Sequence, residues 1–241
     1  MTAGTSGDST LAVIPARGGS KRIPRKNIRA FAGVPLLART IDLLRSAGVF
    51  DRIIVSTDDE EIVQVALSAG AEVPFRRPPE LSGDRVITAP VIEHAIQSMD
   101  GLGSMASFVC CVYPGAAIAS VADIRAGLEK LCSSDFDYVF AGTSFPYPIQ
   151  RALRFLPDGG CAMFWPEHKE TLSQDLEHAY HDAGQFYWGT RAAWLEHRPV
   201  FSPRSHLLVV PRYRVQDIDT PEDWERAEMI FQFIQQERER K

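Results

Sequence analysis

The sequence predicts a three-layer α/β protein, a mostly parallel sheet between two layers of helix, and three observations carry that expectation. Short apolar runs alternate with helical patterns from residue 11 to residue 141. Some of the runs, such as Ile53-Ile54-Val55, are apolar without alternation, as in strands covered on both faces. The chain has 241 residues, of which 45% are hydrophobic, enough for one sizeable core.

Each element has its own local warrant. Residues 11–15 form an apolar run that ends in Pro15 and meets Gly18-Gly19, a buried strand feeding a loop. Residues 35–48 carry Leu37, Ile41 and Leu44 at helical spacing, and residues 51–57 read as a strand. Asp58 is expected to cap the next helix, with Glu61 as capping-box partner and Ile62, Val65, Ala66 and Ala69 as its apolar stripe. Ile92, Ala95, Ile96 and Met99 mark another helix. Residues 107–113 read as a central strand, 121–131 as a helix and 137–141 as a strand. Between about 145 and 188 the pattern loosens into aromatics, prolines and histidines, which suits an insertion that covers the site or meets a second subunit. Residues 207–210 return to strand. In the last helix Thr220 and Asp223 form the cap, Pro221 opens it, and Trp224, Ala227, Ile230, Phe231 and Ile234 form its buried face. One domain over 10–236 is expected, with a disordered stretch over 1–9 and a solvated tail over 237–241.

Composition excludes several classes. A net charge of −5 counts against a protein that wraps nucleic acid. Cys110, Cys111, Cys132 and Cys161 form no C-x-x-C pair and are expected to be reduced. Residues 1–9 have neither a basic start nor an apolar stretch, and no run reaches the ~18–20 apolar residues of a membrane span. A cytoplasmic protein with no membrane partner is expected.

The stretch Arg17-Gly18-Gly19-Ser20-Lys21-Arg22-Ile23-Pro24-Arg25-Lys26-Asn27 directly follows the first strand. Two glycines let backbone amides approach an anion closely. Arg17, Lys21, Arg22, Arg25 and Lys26 add fixed charge, and Pro24 stiffens the loop. Amide donors, positive charge and little reorganisation are what a triphosphate needs. The Walker spacing and G-x-G-x-x-G are both absent. Near the other end, Asp217 and Asp219 are spaced to face one side of an extended segment, two hard oxygen ligands suited to Mg²⁺.

Ile14-Pro15-Ala16-Arg17-Gly18-Gly19-Ser20-Lys21 with Lys26-Asn27 resembles the signature of the CMP-sugar synthetases, which include sialic acid and Kdo enzymes. The likeness continues through Ser56-Thr57-Asp58-Asp59-Glu60-Glu61-Ile62, Arg77-Pro78 with Leu81-Ser82, and Gln216-Asp217-Ile218-Asp219-Thr220-Pro221-Glu222-Asp223-Trp224, nearly the whole chain. Arg22-Ile23-Pro24, Val73-Pro74-Phe75 and His181-Asp182-Ala183-Gly184-Gln185-Phe186-Tyr187-Trp188-Gly189 resemble the pseudaminic acid cytidylyltransferase branch.

The resemblance implies a Rossmann-like nucleotide-diphospho-sugar transferase architecture with a dimerisation or lid insertion. It implies transfer of CMP from CTP to the anomeric hydroxyl of a nonulosonic acid, with Mg²⁺ or Mn²⁺ and a homodimeric assembly. Arg17, Ser20, Lys21 and Lys26 would hold the triphosphate with the amides of Gly18, Gly19 and Ser20, and Arg17, Lys21 and Lys26 would serve the transition state. Asn27 would contact the nucleotide, the Ala16 main chain and Arg77 would read cytosine or ribose, and Ser82 would assist. Asp217 and Asp219 would sit at the metal. Arg22 and Arg25 are expected in solvent, and Asp58 and Asp59 in structural roles. Gln185 and Tyr187 either bind sugar or pack, and His181 is a candidate sugar contact. One segment departs from the pattern: Val112-Tyr113-Pro114-Gly115-Ala116-Ala117 stands where relatives read Pro-Thr-(Ala/Ser)-Pro. Competing readings are a sialic, legionaminic or Kdo activator, a glycosyltransferase with a metal-binding Asp-x-Asp, and a nucleotide-binding regulator without turnover.

Overall fold

The computed structural model describes residues 9–240. The stretch expected to be disordered therefore lies almost wholly outside the described residues.

The chain begins with β1 (Thr10–Pro15), the short hairpin β2 (Ala30–Phe31) and β3 (Val34–Pro35), then α1 (Leu36–Ala47). There follow β4 (Arg52–Ser56), α2 (Glu60–Ser68), α3 (Thr88–Gly101), β5 (Phe108–Val112) and α4 (Val121–Cys132). The second half holds β6 (Tyr138–Ser144), the small hairpin β7 (Leu153–Phe155) and β8 (Cys161–Met163), and β9 (Tyr180–Thr190). It closes with α5 (Arg191–Leu195), β10 (Ser205–Val209) and α6 (Pro221–Glu239). Six strands form one sheet in the order β10-β6-β9-β5-β1-β4. The β1–β4, β1–β5 and β6–β10 pairs are parallel, while β9 runs antiparallel between β5 and β6.

The layers follow from side-chain alternation along the strands. Ala12 and Ile14 of β1 join Leu37, Ile41 and Leu44 of α1, Ile62 and Ala66 of α2 and Ile124 of α4 on one face. Leu11 and Val13 join Ile92, Ala95, Ile96 and Met99 of α3 and Trp194 of α5 on the other. A third cluster holds Ile23, Phe31, Leu36, Ile118, Ile218, Trp224 and Ala227, which seats α6 against the loop after β1. The α6 cap forms as its residues demand: Thr220 Oγ1 accepts from Asp223 N, and the Asp223 carboxylate accepts from Thr220 N.

Three expectations are corrected. The N-cap of α2 is Asp59, whose carboxylate accepts from Ile62 N at 3.1 Å, and Asp58 is released for another role. Residues 180–188, expected within the insertion, form most of β9 in the middle of the sheet, because Phe186 and Trp188 belong to one core and Tyr187 to the other. Helix α6 runs on to Glu239, through most of the segment expected as a tail.

Candidate active site

A cavity of about 440 Å³ opens at the carboxyl ends of the parallel strands, the usual ligand position in such sheets. Pro15 at the end of β1 and Tyr113, Pro114 and Gly115 after β5 line it. The reversed direction of β9 brings its first residues to the same edge. Gly142, Thr143 and Ser144 at the end of β6 pair with Asp182, His181 and Tyr180.

The loop after β1 forms one wall through Arg17, Ser20, Lys21, Arg22, Ile23, Lys26 and Asn27. Ile23, 1% exposed, anchors it in the α6 cluster. Asn27 Nδ2 donates to Arg17 O at 2.9 Å and ties the loop's two ends together. Gly18 N donates to Asp58 Oδ1 at 3.0 Å, and a Cβ on Gly18 would lie 2.5 Å from Asp59 Oδ2. Only glycine therefore fits against α2 at this point. Arg25, in the left-handed region at φ 56°, donates from both terminal nitrogens to Asp59 and also meets Glu61 at 2.8 Å. The expectation of a solvated Arg25 is thus corrected: it staples the loop to the N-terminus of α2.

The remaining cations each face a carboxylate at the cavity. Arg17 meets Asp84 at 2.7 Å, and Lys21 pairs with the same carboxylate. The Lys21 hydrogen bond, followed by the charges of Lys21 and Arg17, holds the Asp84 carboxyl below its ordinary range. Arg22, also expected in solvent, meets Asp219 at 2.8 Å. Lys26 Nζ donates to Ile218 O at 2.7 Å and lies 3.7 Å from Asp219.

Asp217 and Asp219 line the cavity on either side of Ile218, which is 2% exposed in the α6 cluster. The buried isoleucine orients the segment so that both carboxylates face the opening. Burial, and then the like charge of Asp219, pushes the Asp217 carboxyl up, with Lys26 opposing. Among the described residues no group of three or more His, Cys, Asp or Glu could hold a metal ion. Two carboxylates suffice for Mg²⁺ where phosphate oxygens and water complete the shell. The crowded pair of like charges fits a divalent cation.

Arg77 is 4% exposed, yet lines the cavity. Its Nε donates to Ser56 Oγ at 3.1 Å and Nη2 donates to Ser56 O, at the end of β4. Burial lowers the guanidinium to about 10. Gly115 also lines the cavity, and a Cβ there would meet nothing within 4 Å, so the space beside it is open.

The structure sets other expected residues back from this wall. Ala16 is fully buried and its N–H donates to Ser56 O, closing β1 on β4. Gly18, Gly19 and Ser82 lie outside the lining, and Ser82 Oγ donates to Pro78 O at 3.1 Å. Gln185 is 2% exposed and its amide donates to Arg214 O, so it ties β9 to the segment before Asp217. Tyr187 does line the cavity. His181 packs its ring on Phe145 at 4.8 Å and borders two smaller adjoining cavities of about 310 and 390 Å³. Sequence reading missed Asp182, Thr88 and Tyr113 in the lining. Tyr113 and Asp182 stand at strand ends of the carboxyl edge, a position that could have marked them.

The family model for cytidylyltransferases matches residues 11–145, more than half of the chain. The chain belongs to the cytidylyltransferase family. It is accordingly a nucleotidyltransferase. This cytidylyltransferase is 44% identical over 221 residues to the pseudaminic acid cytidylyltransferase of Campylobacter jejuni subsp. jejuni serotype O:23/36 (strain 81-176), covering 92% of this chain and 95% of that protein. It is 32% identical over 236 residues to the CMP-N,N'-diacetyllegionaminic acid synthase of Legionella pneumophila subsp. pneumophila (strain Philadelphia 1), covering 94% and 97%. The solved structure of CMP:2-keto-3-deoxy-manno-octonic acid synthetase complexed with CTP matches its fold with a TM-score of 0.67 at 14% identity, covering 94% of this chain and all of that one. Among the described residues, no helix of this cytidylyltransferase is long and apolar enough to cross a membrane.

Proposed function

We propose that this cytidylyltransferase transfers CMP from CTP to the anomeric hydroxyl of pseudaminic acid and releases pyrophosphate. The observation that carries the sugar is the 44% identity to the Campylobacter jejuni pseudaminic acid cytidylyltransferase over almost all of both chains. The cavity supports the chemistry. The sugar oxygen bonds to the α-phosphorus as the bond to the pyrophosphate oxygen breaks, and negative charge grows on the phosphoryl oxygens. Catalysis of such a step is mostly positioning and electrostatics.

Arg17, Ser20, Lys21 and Lys26 hold the triphosphate, and the ligand's oxygens replace Asp84 as partner of Arg17 and Lys21. Asn27 keeps the loop closed, and Arg77 contacts the nucleoside from its seat at the end of β4. Asp217 and Asp219 would hold Mg²⁺, and the ion would supply positive charge against the phosphate oxygens.

The same reading includes a cytoplasmic homodimer. Tyr147, Phe155 and Phe164 on and around the β7–β8 hairpin are 80%, 92% and 53% exposed. Apolar surface of this density meets a partner, and a two-fold pair is the commonest closed arrangement. Light scattering at micromolar concentration is expected to give twice the 26.8 kDa chain mass; a monomer there removes the assembly from the reading.

The substrate is tested by competition at fixed CTP among pseudaminic, sialic, legionaminic and Kdo acids. Pseudaminic acid is expected to show the highest kcat/KM. A higher value for any other acid overturns the choice of sugar and leaves the nucleotidyl transfer standing.

A further inference from the structure

Among the described residues, Asp182 is the one acidic residue that borders the large cavity and both of its smaller neighbours. It sits at an irregularity of β9, where the register with β6 shifts between Phe140 and Gly142. Gly184, at φ 61°, takes the left-handed conformation there, which glycine adopts without steric cost. The result is a carboxylate held at both oxygens. Oδ1 accepts from Gly184 N at 3.0 Å, and Oδ2 accepts from the Tyr187 hydroxyl.

Both donors are neutral, so they fix the carboxylate's direction without cancelling its charge. The Tyr187 ring is itself wedged. It stacks on Phe140 at 5.9 Å and meets the edge of Tyr113 at 5.6 Å, and the Tyr113 hydroxyl is 2.6 Å from Thr88 Oγ1. An ionised carboxylate offers about four acceptor directions, and two are used. The others are open to whatever enters the cavities.

We infer that Asp182 is a specificity residue that accepts a hydrogen bond from an amide N–H of the acidic sugar. This rests on the proposed activation of a nonulosonic acid. The chemistry sets the orientation. A carboxylate repels the sugar's own carboxylate and the triphosphate, so those groups turn toward the Arg17–Lys26 wall. It attracts donors, so the acylamino side of the sugar turns toward β9. Fixed, unneutralised acceptors reject ligands that leave them unpaired, because the buried group then loses water without replacement.

The test is steady-state kinetics of Asp182→Asn, Asp182→Ala and Tyr187→Phe, with KM measured separately for sugar and for CTP. Asp182→Asn removes the charge and turns one acceptor oxygen into an NH₂ donor, and it is expected to raise the sugar KM about 10- to 100-fold, the range of a hydrogen bond to a charged group. The CTP KM should stay within about twofold, since the loop proposed to hold the triphosphate follows β1, which β5 separates from β9 in the sheet. Tyr187→Phe keeps the ring and removes one donor to Asp182, so it should give a smaller rise of the same kind. A sugar acid with hydroxyls alone, such as Kdo, should be discriminated less by Asp182→Asn than by the parent chain. An unchanged sugar KM in a folded Asp182→Asn protein overturns the inference, as does an equal rise for CTP. If Asp182→Ala fails to fold, the asparagine variant and its thermal midpoint still decide. If the parent chain prefers a different sugar acid, the substrate proposal fails first, and the same KM split is then measured on that acid.

Discussion

Removal of divalent metal is expected to abolish turnover, and Mg²⁺ to restore it. Asp217→Asn and Asp219→Asn should fold and yet lose about two to three decades of kcat/KM, the scale of one lost electrostatic element at a developing anion. The buried Ile218 turns both carboxylates to the cavity, where they repel each other. The Asp217 carboxyl is pushed up by burial and by Asp219. A raised folded-state value means that this group's contribution to folding is complete below the ordinary carboxylate range and is lost as pH rises through the folded value. At neutral pH the metal-free chain therefore carries an unfavourable charge at this point. Mg²⁺ should raise the thermal midpoint by binding the folded form. Asp217→Asn should melt no lower than the parent chain without metal and should lose most of the Mg²⁺-induced rise. Full activity of either variant at limiting Mg²⁺, or an undiminished Mg²⁺ shift in melting, would remove the metal from these residues.

Lys21→Ala is expected to lose about two to three decades of kcat, equivalent to roughly 2–4 kcal/mol of barrier, with little change in thermal midpoint. Its side chain is 80% exposed and is engaged with Asp84 at the cavity mouth, so it can swing to a phosphate without disturbing the core. Arg25→Ala should behave in the opposite way. Its guanidinium is committed to Asp59, which caps α2, and to Glu61. Loss of that staple should lower the thermal midpoint by about 2–4 °C, as for roughly 1 kcal/mol in a chain of this size, and should cost much less rate than Lys21→Ala. Differential scanning fluorimetry beside initial rates separates the two. Equal rate losses would show that the loop's cations face the ligand differently.

These two residues also show what the sequence could and could not reveal. Both belong to one basic loop, and charge density with Gly18-Gly19 is enough to read that loop as a phosphate cradle. Which cation faces out depends on Asp59, which is 34 positions away from Arg25 in the chain and reaches it only through the β1–β4 pairing. The strands, the helical stripes and the Thr220–Asp223 cap were legible because each rests on neighbours within a few residues. The cap of α2 was misplaced by one position because Asp58 and Asp59 are chemically alike, and only the bond to Gly18 N draws Asp58 away. Gln185 and Tyr187 share an i, i+2 spacing but have different surroundings. Gln185 is claimed by Arg214 O from the segment before Asp217, whereas Tyr187 remains on the cavity. The central place of β9 could not be read from periodicity, since an aromatic-rich run suits an insertion as well as a buried strand.

Phosphorus NMR of one reaction mixture follows the proposed transfer of CMP to a sugar acid. With CTP, Mg²⁺ and pseudaminic acid, the triphosphate resonances should disappear while pyrophosphate and a single new phosphodiester resonance grow in equal amounts. Omission of the sugar should leave CTP intact. Pyrophosphate release without sugar, or CTP that persists beside pseudaminic, sialic, legionaminic and Kdo acids alike, would contradict the claim.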